Sequence, residues 1–321
     1  MMTAAAKAWP AWIGGYRLLD CFAEGGMGRI HRGLDTGSGR MVAIKMPRTG
    51  GDVECASLLR EAATLRSIQH AGIVKVWGDG TWDRMPWIAM ELLEGRTLLE
   101  QMQLVWEAGS SDGDEPQRGG EELPTIPVRP HVIRRLKAPR ASRPRAAGGR
   151  FNEASAIITE LAAVLDHIHS RGLVHRDVKP SNVFLRDGRV TMIDFGLACR
   201  AGTERPAHGK EGICVGTVQY AAPEQIMGEA VDARTDVYSL GCVLYELITG
   251  LRPFDGDSTN EIAQKHLHRE PAPPSDLVYE LPNQVEDLLL SMLAKKPGER
   301  PASAGAAATR FATLVDRLDV C

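Results

Sequence analysis

Short apolar runs separated by polar turns fill the first hundred residues, which is the pattern of β-strands. A strand starting at Tyr16 runs into a glycine-rich turn, and residues 29–46 predict a hairpin with its turn at Thr36–Gly39. Residues 73–80 and 87–95 predict further strands. This part of the chain therefore predicts an antiparallel sheet.

Apolar residues at helical spacing interrupt this pattern once and then dominate the second part of the chain. Residues 56–68 predict one helix, with apolar residues on one face at Leu58, Ala62, Leu65 and Ile68. Later helices are predicted over the ranges 152–170, 235–250, 284–295 and 304–318. Asn152 is the predicted N-cap of the first of these, and Gly250 the C-terminal stop of the second. The fold class is α+β: a small antiparallel sheet with one helix, then a larger, mainly helical part.

The segment 106–149 fits neither pattern. Its first half is acidic and rich in glycine, and its second half is basic and rich in proline. Because neither half has a sustained apolar face, we expect a largely disordered insertion. An inert solvated loop is favoured over a role in self-association or partner docking, although opposite charges divided into blocks suit the latter.

Composition excludes several classes of protein. A length of 321 residues favours two lobes or domains over one small core, and a net charge of −3 argues against a nucleic-acid partner. The six cysteines form no CxxC pair, which argues for reduced thiols in a cytoplasmic protein. The N-terminus lacks the apolar core of a signal peptide. The most apolar stretch, 237–251, is too short for a membrane span and contains Glu246.

The first candidate phosphate-binding residues lie in the part of the chain that predicts the sheet. Gly25, Gly26 and Gly28 lie between two predicted strands, where backbone amides can approach phosphate oxygens without an intervening Cβ. Lys45 lies within an apolar strand, and Glu61 lies on the following helix. An ion pair between them would present the ammonium group to phosphate, whereas either residue alone is more often an ordinary surface residue.

A second set of polar residues lies between two apolar runs, from Gly172 to Leu185. Asp177 would accept the proton of an attacking hydroxyl, and Lys179 would offset the charge of the transferring phosphoryl group. Asn182 and Asp194 would supply the oxygen ligands that Mg²⁺ prefers. Phosphoryl transfer requires mostly positioning and charge compensation, so these residue types suffice for it.

These motifs resemble those of bacterial eukaryotic-like (Hanks-type) serine/threonine protein kinases. In chain order they are "AEGGMGRI" (23–30), "VAIK" (42–45), "HRDVKPSN" (175–182), "DFG" (194–196) and "APE" (222–224). Ala23 occupies the first glycine position of the glycine-rich loop, for which we expect altered nucleotide affinity and not loss of activity. The resemblance extends from Tyr16 to about Asp319, except for the insertion.

The resemblance implies a bilobal kinase fold that uses ATP and Mg²⁺ or Mn²⁺. After a tail at 1–15, the ATP-binding lobe would be 16–93 and the catalytic and peptide-binding lobe 94–319. The implied nucleotide-binding residues are Ala23, Glu24, Gly25, Gly26, Gly28, Ile30, Ala43, Lys45, Met90, Glu91, Leu93 and Asn182. Met90 would be the gatekeeper and Glu91 and Leu93 the hinge. A cleft would bring Lys45, Asp177, Asn182 and Asp194 around one magnesium-bound triphosphate.

Further roles follow from the same resemblance. Asp236 would hold the backbone of the catalytic loop. Glu224 and Arg300 would form an ion pair whose loss costs folding as well as activity. Lys179 indicates a serine/threonine kinase, and Thr217 would bridge toward Asp177 and Lys179.

Regulation is predicted from Arg176. In the kinase family that the chain resembles, an arginine at this position accompanies an activation loop that becomes ordered when it is phosphorylated. Thr217 has its own role, so Thr203 is the candidate autophosphorylation site. Cys199 and Cys214 share this loop; inert thiols are favoured over a redox switch.

The predicted activity is transfer of the ATP γ-phosphate to serine or threonine hydroxyls of proteins, with possible self-association for autophosphorylation in trans. A pseudokinase scaffold is the alternative, and only Ala23 and the insertion favour it. A small-molecule kinase is a third possibility, against which the "APE" segment argues.

Overall fold

A computed structural model describes residues 10–25, 28–108, 147–204, 218–279 and 281–318. These residues divide into two compact units. The first holds the described residues before His70 together with Val74–Glu94, and the second holds His70–Ile73 and the described residues from Gly95 onwards.

The first unit is an antiparallel sheet with one helix. The strands are β1 (Trp12–Ile13), β2 (Tyr16–Gly25), β3 (Gly28–Asp35), β4 (Met41–Met46), β5 (Val76–Trp82) and β6 (Met85–Glu91), and the helix is α1 (Asp52–Ser67). The order across the sheet is β1-β2-β3-β4-β6-β5. The predicted hairpin is confirmed: the amide of Asp35 donates to Arg40 O at 2.8 Å, and Gly39 adopts a φ of +71°.

Alternation along β4 gives the sheet two different faces. Val42, Ile44 and Met46 are buried in a cluster on one face together with Trp87. On the other face, Leu58 and Ala62 of α1 pack against Ile88 and Val76. The helix therefore covers the face to which Ala43 and Lys45 belong.

The second unit is mainly helical and carries short strand pairs. Its helices are α2 (Leu98–Ala108), α3 (Ala147–His169), α4 (Pro223–Met227), α5 (Ala233–Thr249), α6 (Thr259–His268), α7 (Asn283–Met292) and α8 (Ala304–Leu318). Its strands are β7 (Arg96–Thr97), β8 (Leu173–Val174), β9 (Val183–Arg186), β10 (Arg189–Met192) and β11 (Cys199–Arg200). They form the antiparallel sheets β10-β9-β7 and β11-β8. The predicted α+β fold class is confirmed.

Helix α5 is the buried centre of the second unit. Its N-cap, Asp232, accepts a hydrogen bond from the amide of Arg234 at 2.8 Å. It ends as predicted at Gly250, which has a φ of +76° and whose amide donates to Glu246 O at 2.8 Å. A Cβ at Gly250 would lie 2.7 Å from the ring of Trp106, so glycine suits both the conformation and the space.

The predicted start of α3 is wrong. The helix begins at Ala147, so Asn152 lies inside it and is not the N-cap. Phe151 is buried, and the guanidinium of Arg150 lies 4.4 Å from the centre of the Trp106 ring. These tertiary contacts stabilise a helix start where the sequence contains glycines of low helix propensity.

The prediction of disorder is also wrong at both ends of the insertion, which are helical. Helix α2 continues to Ala108 and α3 begins at Ala147, so 106–108 and 147–149 are helical. The rest of the predicted disordered segment lies outside the described residues, as does most of the N-terminal tail. Within the described part of the chain, no helix combines the length and apolar character needed to cross a membrane.

His266 gives the second unit a titratable group in its interior. It is fully buried on α6, and the hydroxyl of Tyr238 forms a hydrogen bond of 2.9 Å with its Nδ1. Burial, with a smaller contribution from the charge of Lys295, lowers the pKa of His266 to about 3. The folded protein therefore holds this ring neutral well below the ordinary pKa of 6.5.

We expect His266 to make the protein acid-sensitive. Between pH 6.5 and about 3 the unfolded chain binds a proton that the folded protein does not, so the free energy of unfolding falls as the pH falls through this range. His266→Asn keeps an acceptor near Tyr238 and removes the titration, so urea unfolding of the variant at neutral and acidic pH should show a shallower loss. His268→Asn, on the exposed face of the same helix, is the control. Equal pH slopes for wild type and His266→Asn contradict the prediction.

Candidate active site

In the first unit, five of the predicted nucleotide-binding residues, Ala23, Ile30, Ala43, Lys45 and Met90, lie on neighbouring strands and share one face of the sheet. Ala23 lies opposite Ile30, and Ile30 opposite Lys45. Ala43 lies opposite Met90, and it belongs to the same face as Lys45 because residues two apart on a strand point the same way. The strand register therefore gathers these side chains on the face that α1 covers.

Lys45 and Glu61 form the predicted ion pair. The Nζ atom lies 2.9 Å from Oε1 and 2.7 Å from Oε2, and the side chains are only 7% and 3% exposed. Desolvation offsets most of the Coulomb attraction of a buried pair, so stability alone is a weak reason to keep one. The pair instead gives the ammonium group a fixed position on this face.

The glycine turn between β2 and β3 requires glycine at one position. Gly28 has a φ of +135°, and a Cβ there would lie 2.3 Å from the carbonyl oxygen of Met46. Gly25 lies opposite Gly28, and Gly26 is outside the described residues. Glu24, a predicted nucleotide-binding residue, forms a surface ion pair with Arg29 at 3.1 Å.

The predicted hinge residues lie at the end of β6. Glu91 lies opposite Val42, and its amide donates to Lys75 O at 2.8 Å. Leu93 follows the strand and is half-buried. Both are in the first unit, whose described residues end at Glu94 in this region.

In the second unit, the loop after β8 brings three predicted residues into contact. Oδ2 of Asp177 accepts from Nζ of Lys179 at 2.7 Å and from Nδ2 of Asn182 at 2.9 Å. The Asn182 amide also donates to the backbone oxygen of Asp177 at 3.0 Å. Two donors thus hold one carboxylate oxygen of Asp177, which orients the side chain.

Asp194 follows β10 and adjoins this loop. The amide of Ile193, the residue before it, donates to Asn182 O at 2.9 Å. Asp194 has a φ of +66°, and its Oδ1 accepts from the amide of Gly196 at 3.3 Å. Its carboxylate and the amide oxygen of Asn182 are hard oxygen donors, so their chemistry fits Mg²⁺ or Mn²⁺.

Buried Asp236 of α5 holds the backbone just before Asp177. Oδ2 accepts from the amide of His175 and Oδ1 from the amide of Arg176, each at 2.8 Å. His169 contributes a further hydrogen bond to Oδ2 at 2.7 Å. Burial acts to raise the pKa of Asp236, but the hydrogen bonds from His169 and His175 outweigh it, and the pKa is lowered. The carboxylate is therefore ionised and accepts from all three residues.

Sequence reasoning gave no role to His175 or Gln225, although both shape this loop. Nδ1 of His175 accepts from the amide of Asp177 at 3.2 Å, and its ring lies 4.6 Å from that of Phe195. Burial lowers the pKa of His175, so the ring is a neutral acceptor. The side chain of Gln225 donates to Arg176 O at 2.8 Å, which ties α4 to the loop. His175 belongs to the motif "HRD", so the sequence could have indicated it, whereas no local sequence feature indicates a role for Gln225.

The predicted pair of Glu224 and Arg300 is present and buried. The guanidinium meets both carboxylate oxygens, at 2.7 and 2.9 Å. The hydroxyl of Thr235 donates to Glu224 at 2.8 Å, which joins the start of α5 to the pair. This arrangement fixes α4 against the residues that follow α7.

The residues predicted for regulation are described only in part. The hydroxyl of Thr203 donates to Arg200 O at 2.6 Å, and Nη1 of Arg176 lies 4.0 Å from the sulfur of Cys199. Thr217 and Cys214 lie outside the described residues. The structure thus brings the predicted residues together in two groups, one within each unit, and their convergence on one nucleotide stays a prediction.

Two family models match the chain. Residues 136–312 match the protein kinase domain, and residues 32–201 match the phosphotransferase enzyme family. Both define a phosphotransferase class of fold. The match to the protein kinase domain continues through α4 to α7, whereas the match to the phosphotransferase enzyme family ends at residue 201. The chain belongs to the protein kinase family.

The curated relatives are bacterial serine/threonine kinases. The serine/threonine-protein kinase PksC of Streptomyces coelicolor is 35% identical over 301 residues, 91% of this chain and 48% of that protein. The serine/threonine-protein kinase PknB of Mycobacterium leprae is 32% identical over 293 residues, 89% of this chain and 40% of that protein. The chain thus spans less than half the length of these relatives. The Hanks-type kinase resemblance and the bilobal α+β kinase fold class are confirmed.

Proposed function

We propose that this chain is a non-specific serine/threonine protein kinase that transfers the γ-phosphate of ATP to serine and threonine hydroxyls of proteins. The observation that carries the proposal is the cluster of Asp177, Lys179 and Asn182, with a base, a cation and an amide in direct contact. This combination is what phosphoryl transfer to a hydroxyl requires.

Asp177 is the proposed general base. Lys179 and Asn182 both donate to Oδ2, so among the described contacts Oδ1 is the oxygen left to accept the hydroxyl proton. Lys179, held 2.7 Å from Asp177, places positive charge beside the transferring phosphoryl group. The same lysine favours serine and threonine over tyrosine as acceptors, by resemblance to serine/threonine kinases.

Asn182 and Asp194 are the proposed metal-binding residues. Nδ2 of Asn182 is directed at Asp177, which leaves its carbonyl oxygen as the ligand atom. A bound Mg²⁺ or Mn²⁺ would neutralise phosphate charge. The left-handed backbone of Asp194, held by its contact with Gly196, sets the direction of its carboxylate.

The first unit supplies the proposed ATP-binding residues. Lys45, fixed by Glu61, would contact phosphate oxygens, and Ala23, Ile30, Ala43 and Met90 form an apolar face suited to an adenine ring. The other proposed contacts come from the glycine turn, where Glu24, Gly25, Gly26 and Gly28 would offer backbone groups, and from Glu91 and Leu93.

The remaining proposals concern partners and location. Protein substrates with serine or threonine would bind near α4, where Thr217 would bridge toward Asp177. The kinase would act in the cytoplasm, where ATP is present. A second copy of the chain would serve as substrate for autophosphorylation in trans.

Asp194→Asn tests this function. Wild type incubated with labelled ATP, Mg²⁺ and a generic basic protein should transfer phosphate, whereas we expect the variant to lose about a hundredfold or more because an amide binds a divalent cation far less well. Repeating the assay with chelator should abolish labelling in wild type. Absence of labelling in folded wild type would instead favour the pseudokinase scaffold.

Thr203 should carry phosphate after autophosphorylation. A phosphate there would form charge-assisted contacts with an arginine such as Arg176, which precedes the catalytic aspartate. Mass spectrometry of the protein after incubation with ATP and Mg²⁺ locates the modification, with Asp194→Asn as the inactive control. An active enzyme that remains unmodified at Thr203 contradicts this prediction.

A further inference from the structure

The peptide group that joins Arg176 to Asp177 is held at both of its polar atoms. Its carbonyl oxygen, Arg176 O, accepts from Nε2 of Gln225 at 2.8 Å. Its N–H, the amide of Asp177, donates to Nδ1 of His175 at 3.2 Å. Because a peptide group is planar, holding both atoms sets the rotation of the whole plane. That rotation determines the direction in which the Asp177 side chain leaves the backbone.

The buried carboxylate of Asp236 acts on a different part of this backbone. It accepts from the amides of His175 and Arg176, which belong to the two preceding peptide groups. Arg176 has a φ of +67°, a left-handed conformation that persists only when the surrounding structure holds it. Asp236 holds the backbone before this strained residue, whereas Gln225 holds it after the residue. The contact from Gln225 is therefore one that Asp236 does not supply.

A second hydrogen bond fixes the orientation of the Gln225 side chain. Its Oε1 accepts from the amide of Ala222 at 3.1 Å, which directs Nε2 toward Arg176 O. Exchanging the two atoms would place donor against donor at Ala222 and acceptor against acceptor at Arg176. The neighbouring Glu224 is fixed by its buried ion pair with Arg300. Helix α4 therefore offers Gln225 a firm position from which to hold the loop.

We propose that Gln225 is a positioning residue for phosphoryl transfer: by donating to Arg176 O, it sets the peptide plane from which Asp177 projects. This inference rests on the proposed function and gives a role to a residue outside the motifs that indicate the family. Protein substrates are proposed to bind near α4, so this hydrogen bond couples the placement of that region to the placement of the general base.

Two substitutions separate the donor of Gln225 from its acceptor. Gln225→Glu keeps an oxygen for the Ala222 amide but puts a second oxygen opposite Arg176 O, whereas Gln225→Lys keeps a donor and lacks the acceptor. At about pH 8 we expect kcat for a generic basic protein to fall about tenfold in the glutamate variant and to stay within about threefold of wild type in the lysine variant. The KM for ATP should not change in either. Gln264→Glu, exposed on α6, is the control and should keep wild-type kcat.

The pH profile is a readout that a purely structural role would not move. As the pH falls, the new carboxylate of Gln225→Glu binds a proton, and its O–H can then donate to Arg176 O. The facing carbonyl oxygen raises the pKa of this carboxyl, so the ratio of its kcat to that of wild type should rise between about pH 8 and about pH 5.5. Gln225→Met has neither donor nor acceptor and cannot titrate, so its ratio should stay about tenfold low throughout.

Thermal unfolding at each pH shows which variants are folded, and Gln225→Met replaces either polar variant that is not. Wild-type kcat in the folded glutamate variant at about pH 8, or in the folded methionine variant, overturns the proposal. So does a loss in the lysine variant as large as that in the glutamate variant, or a ratio for the glutamate variant that does not change with pH. Failure of the proposed function is a different result, in which folded wild type transfers no phosphate at all.

Discussion

Asp177→Asn is expected to lower kcat for phosphate transfer by about a hundredfold to ten-thousandfold, the range that a general base contributes. The asparagine oxygen would turn toward the donors on Lys179 and Asn182, which now meet Oδ2 at 2.7 and 2.9 Å. The NH₂ group, which cannot accept a proton, would then occupy the place of Oδ1. Because Asp177 is not among the residues proposed to bind ATP, the KM for ATP should change little.

Asp187→Asn is the matched control for this measurement. Asp187 lies in the turn between β9 and β10, its side chain is 90% exposed, and its φ of +50° is one that asparagine tolerates. Steady-state kinetics of both variants should show unchanged kcat for Asp187→Asn. If Asp177→Asn also retains wild-type kcat, another group accepts the hydroxyl proton.

Arg300→Met is expected to lower the free energy of unfolding by about 3–5 kcal/mol, the cost of leaving one member of a buried ion pair without its partner. The Arg300 side chain is 0% exposed, and Glu224 would keep an uncompensated buried charge. The change would also remove the hydrogen bonds that the guanidinium donates to Glu224 Oε1 and Oε2, Arg234 O, Ala294 O and Lys295 O.

Urea unfolding of Arg300→Met beside Arg310→Met isolates this effect. Arg310 is exposed on α8, so the same substitution there should change stability little. Arg300→Lys should recover only part of the loss, because a single ammonium group cannot reproduce the bidentate contact with Glu224. A loss in Arg300→Met no greater than in Arg310→Met contradicts the prediction. Since the pair anchors α4, activity is expected to fall in parallel with stability.

Local pattern was sufficient for much of the first unit. The apolar run around Lys45 predicts β4, and the turn residues 36–39 predict the hairpin, because a strand and a tight turn depend on neighbouring residues. Lys45 and Glu61 were paired from their positions on a predicted strand and helix, and the structure places their charged atoms 2.7 Å apart. The resemblance, and not spacing, indicated the pair of Glu224 and Arg300.

Local pattern was insufficient where a contact joins distant parts of the chain. The start of α3 was missed because Arg150 packs on Trp106. These residues are far apart in the chain, and no local pattern indicates that they are in contact. The hydrogen bond of His169 to Asp236 likewise depends on how α3 meets α5.

The sequence by itself therefore determined the fold class, the kinase family and the residue types that phosphoryl transfer needs, since these depend on periodicity and on motifs of adjacent residues. The resemblance already implied the role of Asp236. Only the tertiary structure decided which further groups support the loop of Asp177: the left-handed backbone at Arg176, the imidazoles of His169 and His175, and the side chain of Gln225. The physical reason is that a buried charge selects its hydrogen-bond partners by position in space, and residues far apart in the chain become neighbours only after packing.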